Sequence, residues 1–336
     1  MARMVIFSAK PYDREWFAQA SAARAGAADQ TLELEFVDAR LSQQTVTLAA
    51  GADAVCVFVN DDVSRPVLDT LHHLGVEVVA LRCAGFNNVD VEAARDAGIR
   101  VVRVPSYSPN AVAEHTIALM LALNRNIHRA FNRVRDGNFA LDGLVGFDMA
   151  GKVAAVIGTG KIGAIVGRLL WHLRCEVLCV DPYPDEHLVS LGARYVPIDE
   201  AFASADIVTL NCPLTEESHH LVDDAALATM RDGVMIVNTG RGALIDTDAV
   251  VGGLKSGRVG SLALDVYEEE GELFFEDRSD QVLVDDTFAR LLTFPNVLIT
   301  AHQAFLTDEA LSAIATTTLE NVTTALAGRP TPNDVT

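Results

Sequence analysis

Short β-branched runs alternate with Ala-rich helical stretches along this chain, and they do so in two separate series. The first series of runs covers residues 4–7, 32–37, 54–59, 76–81 and 100–104. The second covers residues 153–157, 177–180, 207–210, 234–237, 262–264 and 297–300. Continuous apolar runs bounded by helices are what a parallel sheet requires, because helices cover both of its faces. The pattern therefore predicts an α/β fold with two parallel-sheet lobes of Rossmann-like or flavodoxin-like construction, the second a six-stranded doubly wound sheet. Between the series, one long helix is expected from Asn110 to about Val134, opened by Pro109 with Asn110 as its cap. A final helix is expected over 308–326, returning to pack on the first lobe.

A chain of 336 residues exceeds what one hydrophobic core serves, which agrees with two domains. The expected division is one domain over 1–106 plus 305–336 and a second over 107–304. Half the residues are hydrophobic, which excludes a disordered chain. Twenty-six basic against 46 acidic residues leave a net charge of −20, so nucleic acid and anionic membranes are not expected partners. An anionic substrate must then be held by a few placed cations. The first residues lack the pattern of a secretory signal, no transmembrane segment is read, and the five cysteines form no C-x-x-C pair. The expected location is the cytoplasm, with the cysteines reduced and packed as small apolar side chains.

The sharpest local motif is Gly158-Thr159-Gly160-Lys161-Ile162-Gly163, a G-x-G-x-x-G placed after a strand and at the start of a helix. Gly158 permits the tight turn, Gly160 lets a pyrophosphate approach the backbone, and Gly163 lets helix and strand pack closely. Asp181 closes the next strand, where a carboxylate accepts hydrogen bonds from the adenosine ribose. Its neighbours Pro182 and Tyr183 supply no cation for a 2′-phosphate, so NAD is expected rather than NADP.

Ligands of open α/β sheets bind beyond the carboxyl ends of the strands, so catalytic groups are sought there. Asn238-Thr239-Gly240-Arg241-Gly242 follows the fourth strand of the second series, Asp265 the fifth and His302 the sixth. Reduction of a 2-keto acid needs a cation on the carboxylate, a proton donor at the keto oxygen and a carboxylate that orients the donor. Arg241 suits the first role through its planar fork, His302 the second, and Glu270 from the run Glu268-Glu269-Glu270 the third. Singly, each reads as a solvated or packed residue; together they arise from strand ends converging on one crevice. His115 and His128 read as packing or interface residues of the bridging helix. His72-His73 and His219-His220 lack an acidic set at metal-ligand spacing, so no metal is expected.

The segments Leu81-Arg82-Cys83-Ala84-Gly85-Phe86-Asn87-Asn88-Val89-Asp90, Gly158 to Gly163, Asn238 to Gly242, Asp265-Val266-Tyr267-Glu268 and Ala301-His302-Gln303-Ala304-Phe305 resemble the D-isomer-specific 2-hydroxyacid dehydrogenase family. Within it they are most similar to the NAD-dependent fermentative branch that interconverts pyruvate and D-lactate. The resemblance spans nearly the whole chain. It implies that Arg241 binds substrate carboxylate, that His302 donates the proton with Glu270 as partner, and that Asp265 contacts the nicotinamide. It further implies an active site in the cleft between the lobes. Lys161, Ile162, Cys212, Pro213, Thr239 and Gly240 would join the glycines and Asp181 around the cofactor. The backbone of Cys83, Ala84 and Gly85 would help hold the substrate, with Phe58, Tyr107 and Phe305 lining the pocket. Gly240 stands where Ser or Ala is common, and Phe58 where some relatives have Tyr.

The D stereochemistry and a homo-oligomer, a dimer through the bridging helix or a dimer of dimers, rest on the resemblance alone. A relative acting on hydroxypyruvate or glyoxylate and an NADH-sensing corepressor-like binding protein are the alternatives. Formate dehydrogenases share the fold but lack the acidic partner, so Glu270 argues against that reading.

Overall fold

In the computed structural model, which describes residues 1–24 and 32–336, the first series of runs forms five strands. These are β1 (Ala2–Ile6), β2 (Leu32–Phe36), β3 (Ala54–Val57), β4 (Val78–Leu81) and β5 (Arg100–Arg103). They pair in parallel in the order β2-β1-β3-β4-β5, the flavodoxin-like arrangement, whose direction of winding reverses between β1 and β3. Together with the C-terminal segment they make one compact unit, residues 1–108 and 306–336. The helix Asp308–Leu326 begins where Thr307 caps it through the Ala310 amide. It buries Ala315, Leu319, Val322 and Ala325 with Met4, Ile6 and Phe17 against one face of this sheet.

Residues 109–305 form the second unit. Its strands are β6 (Val153–Ile157), β7 (Glu176–Val180), β8 (Arg194–Tyr195), β9 (Ile207–Leu210), β10 (Val234–Asn238), β11 (Val259–Leu264) and β12 (Val297–Ile299). All pair in parallel, in the order β12-β11-β10-β9-β6-β7-β8. Successive side chains of β6 serve opposite cores: Ala155 and Ile157 pack with Leu210, Ile236 and Leu264, while Ala154 and Val156 pack with Met120, Leu170 and Val237. Burial on both faces explains why these strands read as unbroken apolar runs.

Seven strands replace the expected six, because β8 has only two residues and neither belongs to an apolar run. Its Arg194 instead reaches Glu176 on the neighbouring strand at 3.1 Å. The single long helix is also corrected. A helix runs over Pro109–Asn124 and a second over Ile127–Arg135, separated at Asn126, which is left-handed at φ +52°. Asn tolerates that conformation better than most residues. Asn124 meanwhile turns its side chain to the backbone of Phe147, accepting from the amide and donating to the carbonyl at 2.8 Å each. Asn110 lies within the first helix rather than capping it, since the helix already starts at Pro109. No helix among the described residues is long and apolar enough to cross a membrane.

Candidate active site

The winding of the seven-stranded sheet reverses between β6 and β9, and the glycine turn sits at that point. Gly158 has φ +87°, and a Cβ on it would lie 2.6 Å from the Cys212 amide; a Cβ on Gly163 would lie 1.9 Å from the Gly158 carbonyl oxygen. Strand β6, the turn and the helix Lys161–His172 therefore meet at backbone distance. At Gly160 a Cβ would meet nothing within 4 Å. No contact inside the protein demands glycine there, and the space above the helix N-terminus fits a close-lying pyrophosphate. Lys161 and Pro213 are exposed, and Ile162 and Cys212 partly buried, around the same turn.

Asp181 closes β7 and accepts hydrogen bonds from the Thr159 amide at 2.7 Å and the Tyr183 amide at 2.8 Å. Tyr195 steadies the turn by donating its hydroxyl to Thr159 Oγ1 at 2.9 Å and accepting from the Asp185 amide at 2.7 Å.

The loop after β10 is built around Asn238, which is fully buried. Its side chain donates to the Arg241 carbonyl at 2.8 Å and accepts from the Gly240 amide at 3.0 Å, closing a tight turn. Thr239 is fixed by a 2.8 Å contact with the hydroxyl of Thr116 on the Pro109–Asn124 helix. A Cβ on Gly242 would fall 2.1 Å from the Tyr267 carbonyl carbon, so only glycine lets this loop lie against the segment after β11. Arg241, partly buried, gives one donor to the Gly240 carbonyl at 2.8 Å. A guanidinium has donors beyond that one for a carboxylate ligand.

His302 and Glu270 meet: Nδ1 lies 2.7 Å from Oε1, with both side chains about a fifth exposed. Oε2 of Glu270 accepts the Tyr267 amide at 3.0 Å, so both carboxylate oxygens are engaged and the carboxylate is aimed. The remaining ring nitrogen, Nε2, is left for a reacting group. His302 itself is left-handed at φ +52°, a conformation that costs a β-carbon residue on the order of 1 kcal/mol.

Asp265 holds His302 in that conformation. It is fully buried, its carbonyl accepts the His302 amide at 2.6 Å, and its carboxylate accepts Thr300 Oγ1 at 2.6 Å, the Gln303 amide at 2.9 Å and the Ala304 amide at 3.0 Å. His115 Nε2 completes the cluster, 3.2 Å from Thr300 Oγ1 and 3.4 Å from Asp265 Oδ1. Burial by itself would raise the Asp265 carboxyl, but the hydrogen bonds from His115, Thr300, Ala304 and Gln303 hold it below the usual carboxylate range. Asp265 is thus spent on the loop 300–304, and His115 belongs to the same network rather than to general packing. Phe305 is buried at the end of this loop.

In the first unit, the loop after β4 has its own scaffold. Arg103 donates to the Ala84 carbonyl at 2.7 Å and lies 5.0 Å over the Phe86 ring; Cys83 Sγ is 3.3 Å from the Gly85 carbonyl oxygen. Asn88 donates to the carbonyls of Phe58 and Asp61 at 3.1 and 2.8 Å. Phe58 and Cys83 are buried, and Ala84, Gly85 and Tyr107 half-buried.

Comparison with known proteins bears on what these loops are for. The sequence profile described as "D-isomer specific 2-hydroxyacid dehydrogenase, NAD binding domain" matches residues 117–304. The D-lactate dehydrogenase of Escherichia coli (strain K12) is 50% identical over 333 residues, 99% of each chain. The chain belongs to the D-isomer-specific 2-hydroxyacid dehydrogenase family. It is accordingly an NAD-dependent oxidoreductase acting on small hydroxy or keto acids. Among solved structures, the pyruvate reductase of Chlamydomonas reinhardtii superposes with a TM-score of 0.93 at 42% identity, covering 99% of this chain and 98% of that one. The D-lactate dehydrogenase of Aquifex aeolicus, solved with NAD and lactic acid, superposes at 0.83 with 29% identity, covering 97% and 96%.

In sequence terms Thr300 is unmarked, His115 reads as packing, and Asn238, though inside the quoted motif, carries no role of its own. Asn238 holds the backbone of Gly240 and Arg241, while His115 and Thr300 act through Asp265. Beneath the loop after β4, Arg82 is 2% exposed and pairs with buried Asp13 at 3.2 Å. It also donates to the Ser8 carbonyl at 2.9 Å and lies 4.8 Å from the centre of the Phe58 ring. Asp61, beside it, accepts Ser8 Oγ and the amides of Leu41 and Phe58 at 2.6–2.7 Å. The one available signal was charge within apolar runs, since a buried ion needs a buried partner. The His219-His220 reading is corrected: Glu268 and Asp246, distant in sequence, lie beside His220. Burial pushes the Cys56 and Cys179 thiols up to about 12, so these two are poor nucleophiles.

Proposed function

We propose that this chain is an NAD-dependent D-lactate dehydrogenase, reversibly reducing pyruvate to D-lactate, with Arg241, His302 and Glu270 as its catalytic residues. The observation that carries the reading is the 2.7 Å His302–Glu270 pair, presented at the carboxyl edge of a sheet whose glycine turn suits a dinucleotide. The choice of substrate follows relatives whose names are D-lactate dehydrogenase and pyruvate reductase.

NADH, when bound, supplies the hydride. Arg241 holds the substrate carboxylate through paired donors and thereby orients the keto carbon. His302 donates from Nε2 to the keto oxygen as negative charge builds there, and Glu270 stabilises the protonated ring and keeps Nδ1 directed away. In the oxidative direction neutral His302 takes the hydroxyl proton. Asp265 acts on His302 through the backbone, as a positioning residue. Gly158, Gly160, Lys161, Ile162, Gly163, Asp181, Cys212, Pro213, Thr239, Gly240 and Asp265 are the proposed cofactor contacts; Phe58, Cys83, Ala84, Gly85, Tyr107 and Phe305 are proposed to line the substrate. A cytoplasmic location belongs to the same proposal, with Cys56 and Cys179 as packed apolar side chains.

The test is steady-state kinetics of the purified protein with NADH and pyruvate, hydroxypyruvate or glyoxylate. The highest kcat/KM is expected with pyruvate and only the D product; faster turnover of a bulkier keto acid would reassign the substrate, and NADH binding without turnover would favour a sensor. NADH should be preferred over NADPH by about 100-fold, because Asp181 would face a 2′-phosphate with like charge. Asp181→Ala should reduce that preference to within about tenfold. Equal efficiency of the parent with both cofactors would remove Asp181 from the role.

We also propose that the protein self-associates through the Ile127–Arg135 helix. None of its residues is buried, and Ile127, Phe131 and Val134 stand exposed beside Phe139, Leu141 and Val145, an apolar surface that a second copy would cover. Sedimentation should show a dimer or larger for the parent and a monomer for Phe131→Asp. A monomeric parent would exclude the proposal.

A further inference from the structure

His219, His220 and Glu268 place three ligand-type atoms within 4.8 Å of one another. The rings of His219 and His220 stack at 3.9 Å between centroids with 30° between planes. His220 Nε2 lies 2.5 Å from Glu268 Oε1, and Thr247 donates to Glu268 Oε2 at 3.0 Å. His220 is left-handed at φ +52°, and its amide donates to the Ala243 carbonyl at 2.8 Å. Val222 and Asp246 continue that join: the Val222 amide donates to Leu244 and the Asp246 amide to Val222, each at 3.0 Å. The two imidazoles are therefore carried on a segment tied to its neighbour, next to the Gly242 backbone that packs on Glu268.

We propose that His219, His220 and Glu268 form a binding site for a divalent ion of the Zn2+ class. Two imidazoles and one carboxylate are a borderline donor set, suited to Zn2+ rather than to Mg2+ or Ca2+, which take all-oxygen shells. In a tetrahedral site with bonds of about 2.0–2.2 Å, ligand atoms stand about 3.3 Å apart. Reaching that from the observed spacing requires small side-chain rotations, with Glu268 exchanging its hydrogen bond to His220 for the ion and His219, which is exposed, swinging inward. Asp246 supplies a second line of support: its Oδ2 is 3.8 Å from His220 Nδ1, where it would accept the proton on the nitrogen that does not face the ion. Solvent fills the fourth position. The ion would fasten the segment after β9 to the segment after β11, as a clasp rather than a reaction centre.

The experiment is equilibrium dialysis of tag-free protein against Zn2+ with metal analysis, repeated with Co2+ to read the visible absorption of a tetrahedral site. A stoichiometry near one per chain is expected. His219→Ala, which leaves the His220–Glu268 pair intact, should weaken Zn2+ binding by about 100-fold without altering the fold or the dehydrogenase rate, and Glu268→Gln should weaken it similarly. A parent that retains no Zn2+, or a His219→Ala protein that binds Zn2+ as tightly as the parent, would overturn the site.

Discussion

His302→Gln is expected to lower kcat/KM for keto-acid reduction and for hydroxy-acid oxidation by about 10³-fold each, the size of a lost general acid and base. The fold should survive, since Gln can occupy the same partly exposed position. Glu270→Gln gives the finer reading. The substitution keeps the shape and a hydrogen bond to His302 Nδ1 but removes the charge 2.7 Å from the ring. The protonated ring then loses its stabilising partner, and reduction, which needs that proton, should fall by about 100-fold at neutral pH. Steady-state kcat/KM at neutral pH in both directions measures this. A Glu270→Gln protein with near-parental reduction, or a His302→Gln protein with near-parental rates, would show that the pair is not the proton-transfer device.

Arg82→Met should destabilise the first unit by about 3–5 kcal/mol, read from the denaturant midpoint at neutral pH, although Met fills similar space. The reason is what remains behind. Asp13 loses its 3.2 Å partner and Asp61 the cation that most lowers its carboxyl, both inside the unit. In the parent, burial already raises the Asp61 carboxyl and Arg82 is the leading influence that lowers it. Removing Arg82 raises it further, so the folded variant keeps a proton that the unfolded chain releases above the ordinary value of 3.8. Folding of the variant is thus favoured by added protons, and its deficit relative to the parent should shrink as pH falls from neutrality toward 4. A deficit independent of pH would mean that the cost is packing alone. A midpoint within about 0.5 kcal/mol of the parent would mean that the buried guanidinium contributes nothing net.

The parallel sheets, the glycine turn and the residues at the strand ends were legible because each depends on local chemistry. Apolar runs such as Ala154 to Ile157 mark strands buried on both faces, and a G-x-G-x-x-G between strand and helix has few other uses. The two-residue β8 and the break at Asn126 were not legible, since an edge strand needs no apolar run and a left-handed Asn interrupts an amphipathic pattern without changing its composition.

The chain's own residues determined the fold class, the dinucleotide turn and the donor and acid candidates, because residue type and spacing along one strand or turn carry that information. Tertiary structure decided which carboxylate serves which histidine. Within the run 268–270, Glu268 turns to His220 and Glu270 to His302, while Glu269 stays exposed. It also turned Asp265 inward to hold the loop 300–304 and buried Arg82 between Asp13 and Asp61. Pairings of that kind join residues tens of positions apart, and they arise only when a sheet brings its strand ends together and burial makes an unpartnered charge too costly to leave.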